Sequence, residues 1–401
     1  MGQFAGKKIL LLVVGLATAG FAAVVGYLTL KHEDVVPPDT VSTASTDELS
    51  YPDPLDLLPD ETARAIEEDL ARLLNVSEAA DAIVSLRQRI VEANRKKDPL
   101  VHAVIAFTLQ GMAKRFASVD NQTKLACFYM ATEGVAWASD NPCPTWPCLL
   151  SVTEQMLREH LATGKTENRV QGLNFIRVSW EWLPYGTELN EAERAFIGKW
   201  KASLHDMAVQ LLHAPDEEVR VAAVRAVAAA PVDEAARDAL VGLDDSSPRV
   251  RRTTVLALAD RPEVLPSERL LPLLNDTNYD VRTTVRIALQ TRGLSQIEIS
   301  LATMVFSPMT LARQQAARHI ALSTAVDRVA WLKPLCRDEE PSVRKEAAQA
   351  LAYVGTRQAI KELERMAASD KDRGVRQLAA ELLAQLKASP TARLKQASHQ
   401  R

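Results

Sequence analysis

DTNYDVRTTVRIAL, residues 276–289, is the stretch on which the reading of this chain turns. Asp276 and Asp280 mark a polar turn. Val281-Arg282 follow, and Val285, Ala288 and Leu289 stand four, seven and eight positions beyond Val281, on one face of a helix. Aligned on Val281-Arg282, the pattern returns at Val219-Arg220, Val250-Arg251, Ala312-Arg313, Val343-Arg344 and Val375-Arg376, in steps of 31, 31, 31, 31 and 32 residues. Five positions before these pairs stand Asp245, Asp276, Asp338 and Asp370, with Ala214 and Ser307 in the first and fourth units. Each unit also has an apolar helical stretch upstream, such as SERLLPLL (267–274) or IKELERMA (360–367). A helix pair of this size cannot cover its own apolar face, so successive pairs must stack.

The expected fold is therefore all-α: an α-solenoid of six helix pairs over residues 202–387, preceded by a less regular helical domain at 60–201. The repeat resembles HEAT repeats, in particular the short bacterial HEAT-like type first described in phycobilisome lyases. That resemblance implies that each Asp lies in the turn between two helices and that the Arg after the Val pairs with turn groups of a neighbouring unit. Asp245, Asp276, Asp338 and Asp370 would then accept from Arg220, Arg251, Arg282, Arg313, Arg344 or Arg376, in a ladder interrupted at Ala214 and Ser307.

The resemblance also implies that the Val-Arg helices line a concave surface. Helical spacing puts the second, third and sixth residues after each Val toward solvent. The candidate partner-binding residues are accordingly Arg225, Arg252, Leu256, Thr284, Ile287, Gln315, Arg318, Lys345 and Gln349. This mixture of polar, basic and apolar groups suits protein recognition better than a small-molecule pocket. His319 takes a small-residue slot in the fourth unit and is expected to be packed and neutral.

Composition supports helices and excludes some functions. Of the 401 residues 47% are hydrophobic and only 15 are glycine, and no long window alternates with period two. A net charge of −3 argues against a nucleic-acid partner bound by phosphate neutralisation. Residues 9–30 carry no charged side chain, and as a helix they would measure roughly 33 Å, enough to span a bilayer core. Lys7 and Lys8 precede this run, which places residues 1–8 in the cytoplasm and the body in the periplasm of a bacterium whose inner membrane holds the anchor. The alternative is a cleaved secretion signal, since Ala17-Thr18-Ala19 has the form of a cleavage site; the apolar run, however, continues eleven residues past it. Gly15, Ala19 and Ala23, with Ala22 and Gly26, form a small-residue stripe through which two such helices could self-associate. Residues 31–59 read as an acidic linker rich in Pro, Ser and Thr, and 388–401 as a basic tail.

In the 60–201 region Trp137, Trp146, Trp180, Trp182 and Trp200, with Phe175 and Tyr185, are candidates for an aromatic core. Cys143 and Cys148 flank PTWP; in an oxidising compartment they could close a short disulfide, with free thiols as the alternative. Cys127 and Cys336 lie in apolar helical contexts. No metal-ligand cluster, cofactor-binding motif or catalytic motif is present. The expected function is a membrane-tethered, non-enzymatic scaffold or adaptor for protein partners. The alternative is a lyase or cofactor-attachment enzyme, by analogy of fold.

Overall fold

The computed structural model describes residues 51–186 and 188–388. Among them every regular element is an α- or 3₁₀-helix. The transmembrane helix expected at 9–30, most of the linker and the tail beyond Ala388 lie outside the described residues. No described helix is long and apolar enough to cross a membrane. The chain divides into two compact units, one ending at Asp244 and one beginning at Asp245.

The first unit comprises α1 (Pro54–Leu57), α2 (Asp60–Arg72), α3 (Ala79–Arg95), α4 (Val101–Arg115), α5 (Asn121–Asp140), α6 (Trp146–Ala162), α7 (Thr166–Ser179), α8 (Glu191–Gln210), α9 (Glu217–Ala228) and α10 (Asp233–Ala236). Helices pack on the next but one in sequence: α2 on α4, α4 on α6 and α6 on α8 in one layer, α3 on α5 and α7 on α9 in the other. The less regular region thus uses the same stacking of hairpins as the repeats. Gly111 shows how close the layers come, since a Cβ there would lie 2.1 Å from Leu70 Cδ1 where α4 meets α2.

One boundary differs from that drawn on the sequence. Residues 51–59, read as the end of the linker, join the folded body. The Asp53 carboxylate accepts from the Leu55 N–H at 2.9 Å, Pro54 opens α1 and is buried, and α1 packs on α4. Prolines that look like linker residues here begin a capped helix. The first compact unit reaches Asp244 and so takes in α9, which lays its face on α7 and buries Val221 and Ala222.

The second unit comprises α11 (Pro248–Ala257), α12 (Ser267–Leu270), α13 (Tyr279–Thr291), α14 (Gln296–Val305), α15 (Thr310–Leu322), α16 (Arg328–Leu332), α17 (Pro341–Val354), α18 (Arg357–Ser369) and α19 (Arg373–Ala388). Two of the upstream helices are short because Pro272 and Pro334 cannot continue an α-helix, and the chain passes into 3₁₀ turns at Leu271–Asn275 and Leu335–Arg337. The apolar positions of the repeat form the core, with Val305, Ile320, Leu332, Val343, Leu351, Leu363, Met366 and Val375 buried in one cluster. Alanines at 316, 317, 347 and 348 are fully buried, and their small side chains let adjacent helices approach.

Candidate functional site

The Val-Arg helices of the second unit carry a repeated arrangement of charge. Arg251 Nε and Nη2 both donate to the Asp276 carboxylate at 2.7 Å. Arg313 binds Asp338 in the same two-pronged way at 2.7 and 3.1 Å, and Arg344 binds Asp370 at 2.9 and 3.0 Å. Each guanidinium also has its remaining Nη1 tied to two carbonyls of its own turn: Asp245 and Ser246 for Arg251, Ser307 and Pro308 for Arg313, Asp338 and Glu339 for Arg344. The Asp carboxylates meanwhile accept from N–H groups two residues on, at Asn278, Glu340 and Asp372. A rung therefore locks the turn of one unit to the turn of the next.

Burial alone would raise the Asp276 and Asp370 carboxyls; the arginine hydrogen bonds and the turn N–H groups overcome it and hold both below the usual carboxylate value. The Arg251 and Arg313 guanidiniums are shifted up, mainly by their bonds to Asp276 and Asp338. These arginines are structural parts.

Arg220, Arg282 and Arg376 have the same Nη1 anchorage: Ala214 and Pro215, Asp276 and Thr277, and Asp370 and Lys371 are their carbonyl partners. Asp245 accepts from the Ser247 N–H at 2.7 Å. Among the described residues Arg282, unlike Arg251, Arg313 and Arg344, hydrogen-bonds no carboxylate, since Ser307 stands where its rung would end. Its guanidinium lies over the Tyr279 ring, 5.7 Å from the centroid.

The candidate partner-binding residues do not form one uniform strip. Arg225 is exposed on α9 of the first unit. In the second unit Arg252, Leu256, Ile287, Gln315, Arg318 and Gln349 are exposed and Lys345 is half-buried. Thr284, expected in solvent, is buried. Its hydroxyl donates to the Asp280 carbonyl at 2.8 Å, and Thr253 one repeat earlier is buried in the same way on the Arg249 carbonyl. A threonine that satisfies its hydroxyl on its own helix can face the core. Arg318 is not free either, for Glu346 grips it at 2.6 and 3.0 Å. His319 is exposed, not packed, because its slot lies at the edge of α15 and not beneath it.

What the sequence reading missed is apolar: Tyr279, Met309, Leu311, Leu322 and Tyr353 are each more than half exposed. Leu256 and Ile287 extend this set, at 56% and 57% exposure. The missed signal lay in the turns, where Ser307-Pro308-Met309 replaces triplets that in the other turns of the second unit begin with Asp and continue with polar residues.

In the first unit Trp146, Trp182, Trp200 and Phe175 join Phe128 and Phe196 in a chain of rings with centroids 5.7–6.2 Å apart. Trp137 and Tyr185 stay outside it, Tyr185 being 52% exposed; Trp180 packs on His205. The fully buried His160 stacks on Phe128 at 4.5 Å, between Gln171 at 2.9 Å and Asn168 at 3.2 Å. Burial pushes this imidazole down to about 4, against a Gln171 hydrogen bond that favours the charged form.

Cys143 and Cys148 form no disulfide and are buried free thiols. Cys148 sits in the first turn of α6 and accepts from Gln110 Nε2 at 3.2 Å, while Cys143 faces the Thr145 hydroxyl at 3.6 Å. Burial pushes the Cys148 thiol up to about 11, and Cys127 and Cys336 up to about 12. Among the described residues no group of three or more His, Cys, Asp or Glu is placed to hold a metal ion.

Stacked helix pairs, joined turn to turn by guanidinium–carboxylate rungs, define a helical-repeat protein. Residues 206–290 and 302–384 match the family of HEAT repeats. Human deoxyhypusine hydroxylase, solved with glycerol, is 17% identical, covering 71% of this chain and 98% of its own with a TM-score of 0.29. An engineered protein is 17% identical over 84% and 98% of the two chains, with a TM-score of 0.32. A structure of microtubule polymerases with tumor overexpressed gene domain arrays, described for tubulin recruitment and assembly, is 11% identical over 80% and 96%, with a TM-score of 0.22. None of the three superposes on this chain as a whole. No curated protein sequence matches it.

Proposed function

We propose that this protein is a non-enzymatic scaffold that holds a partner protein on the Val-Arg helices of its repeats, from a body tethered at a bacterial inner membrane and displayed in the periplasm. The observation that carries the reading is the exposed apolar set on the second unit: Leu256, Ile287, Leu322 and Tyr353 lie on Val-Arg helices whose opposite faces already fill the core. Large apolar side chains that a stacked array leaves in water are the usual material of interface centres. HEAT repeats supply the rigid frame for such a surface. The tether rests on the uncharged run at 9–30 behind Lys7 and Lys8.

The test is crosslinked capture from whole cells, comparing the full chain with a variant carrying Leu256→Glu, Ile287→Glu and Leu322→Glu. A partner that crosslinks to the first and is lost from the second is the expected result; identical recovery overturns the reading. A reporter active only outside the cytoplasm, fused after Arg401, is expected to be active, and an inactive fusion reverses the placement.

A further inference from the structure

The joint between the third and fourth repeat units differs from its neighbours in three ways at once. First, the rung is missing. Arg251, Arg313 and Arg344 each close a two-pronged contact with a carboxylate 25 or 26 residues ahead, whereas 25 residues ahead of Arg282 stands Ser307. Ser307 keeps the local duty of the Asp, because its Oγ accepts from the Met309 N–H at 3.2 Å. It cannot reach across with a negative charge. Second, the turn has become apolar. Asp276-Thr277-Asn278, Asp338-Glu339-Glu340 and Asp370-Lys371-Asp372 correspond to Ser307-Pro308-Met309, and Met309 is 66% exposed with Leu311 beside it at 59%. Third, α13 and α15 do not pack closely side by side, although α11–α13, α15–α17 and α17–α19 do. The upstream halves of the joint stay together, with α14 on the 3₁₀ turn Leu271–Asn275 and Asn275 Nδ2 donating to the Thr303 carbonyl at 2.9 Å.

Arg282 is nonetheless held ready. Its Nη1 is bound to the Asp276 and Thr277 carbonyls at 2.7 and 3.1 Å, and its plane lies over Tyr279. Among the described residues no carboxylate bonds its Nε or Nη2. A guanidinium fixed in this way has lost little freedom left to lose, so a carboxylate arriving at its fork binds with both prongs.

The geometry points to Arg282 as the receptor for an Asp or Glu of a partner protein, on a segment whose apolar side chains cover Tyr279, Met309, Leu311 and Ile287. The partner thereby supplies the rung that this joint lacks. Charge agrees with that choice. Arg286 is exposed one turn after Arg282 and Arg252 is exposed on α11; on the acidic side, Asp276, already gripped by Arg251, acts on Arg282 through its charge, and Asp280 is exposed at the start of α13. The inference rests on the scaffold reading above and names the chemistry of its partner.

The test uses the full chain and a labelled, end-capped 14-residue peptide with one Glu among leucines at helical spacing and neutral residues elsewhere. Binding is read by fluorescence anisotropy. Arg282→Gln is expected to weaken binding at least tenfold. Ser307→Asp, which fills the fork from within, is expected to abolish binding while raising the melting temperature; Ser307→Asn is expected to leave it unchanged. A Ser307→Asp variant that binds like the parent, or a Glu→Gln peptide that binds as tightly as the Glu peptide, overturns the inference. A parent chain whose affinity rises when Glu33, Asp34, Asp39, Asp47 and Glu48 are all neutralised also overturns it, because the chain's own acidic stretch would then be the occupant. In the capture experiment, loss with the triple Glu variant but no change with Arg282→Gln or Ser307→Asp sinks this inference alone. No change with any of the three sinks the scaffold reading.

Discussion

The two units hold stacked helix pairs together by different means. In the first, large rings do the joining: Phe128, Phe175, Trp200, Trp182 and Trp146 run through several helices, with His160 stacked among them and neutral. In the second the contacts between helices are made by aliphatic side chains, alanine, valine and leucine foremost, and register along the stack is set by rungs such as Arg344–Asp370, whose side chains are 3% and 4% exposed. Rings of unlike shape allow unequal helices and loops, so the first unit shows no clean repeat in its letters before residue 202. Rungs need an Arg and an Asp at fixed spacing, so the second unit shows its period openly.

The contrast is broken most strongly at a rung. Asp370→Ala leaves the Arg344 charge buried with only backbone carbonyls, and is expected to cost about 3 kcal/mol or more, read as a shift in urea midpoint. A loss under 1 kcal/mol would show that the rungs contribute little.

Acid separates the units. Unfolded histidine titrates near 6.5 and His160 in the fold near 4, so the unfolded chain takes the proton first as pH falls. The stability due to a neutral His160 is complete above pH 6.5 and declines between 6.5 and 4, by about 3 kcal/mol in all. Asp276 and Asp370 have folded values below the ordinary aspartate value of 3.8, so their contribution persists above 3.8 and is lost only as pH falls through those lower values. Amide exchange followed from pH 7 to 3.5 should therefore show protection lost in α5–α7 before α17–α19, and His160→Gln should remove the early step. Simultaneous loss with unaltered His160 dependence refutes the scheme.

A smaller effect sharpens the packing side of the comparison. Gly111→Ala is expected to destabilise the first unit by about 1–3 kcal/mol, since the added methyl meets Leu70 at 2.1 Å and the gain in helix propensity is only about 1 kcal/mol. An unchanged or raised melting temperature would mean that Leu70 swings away freely.

The repeat was legible because Val-Arg and the preceding Asp report a covalent spacing that stacking requires. Its exposed face was less so. Spacing alone sent Thr284 to solvent, but an i−4 hydrogen bond lets a threonine turn inward, and Arg318 was spoken for by Glu346, 28 residues away. Likewise the acidic letters of 51–59 concealed a cap, Asp53 on the Leu55 N–H, that docks a helix. The apolar turn at 307–309 was visible in the letters. Its meaning depends on which neighbouring arginine it fails to meet, and that is a matter of three-dimensional register.

The double carbonyl anchorage of every Val-Arg guanidinium has a mechanical consequence. It stiffens each hairpin from within, so tension along the second unit falls on whatever joins one hairpin to the next. Three joints there are stapled by charge and one is not. Stretched from its ends, this unit should part first between Thr291 and Thr310, and a ligand clamped across that seam would make the whole stack harder to pull open.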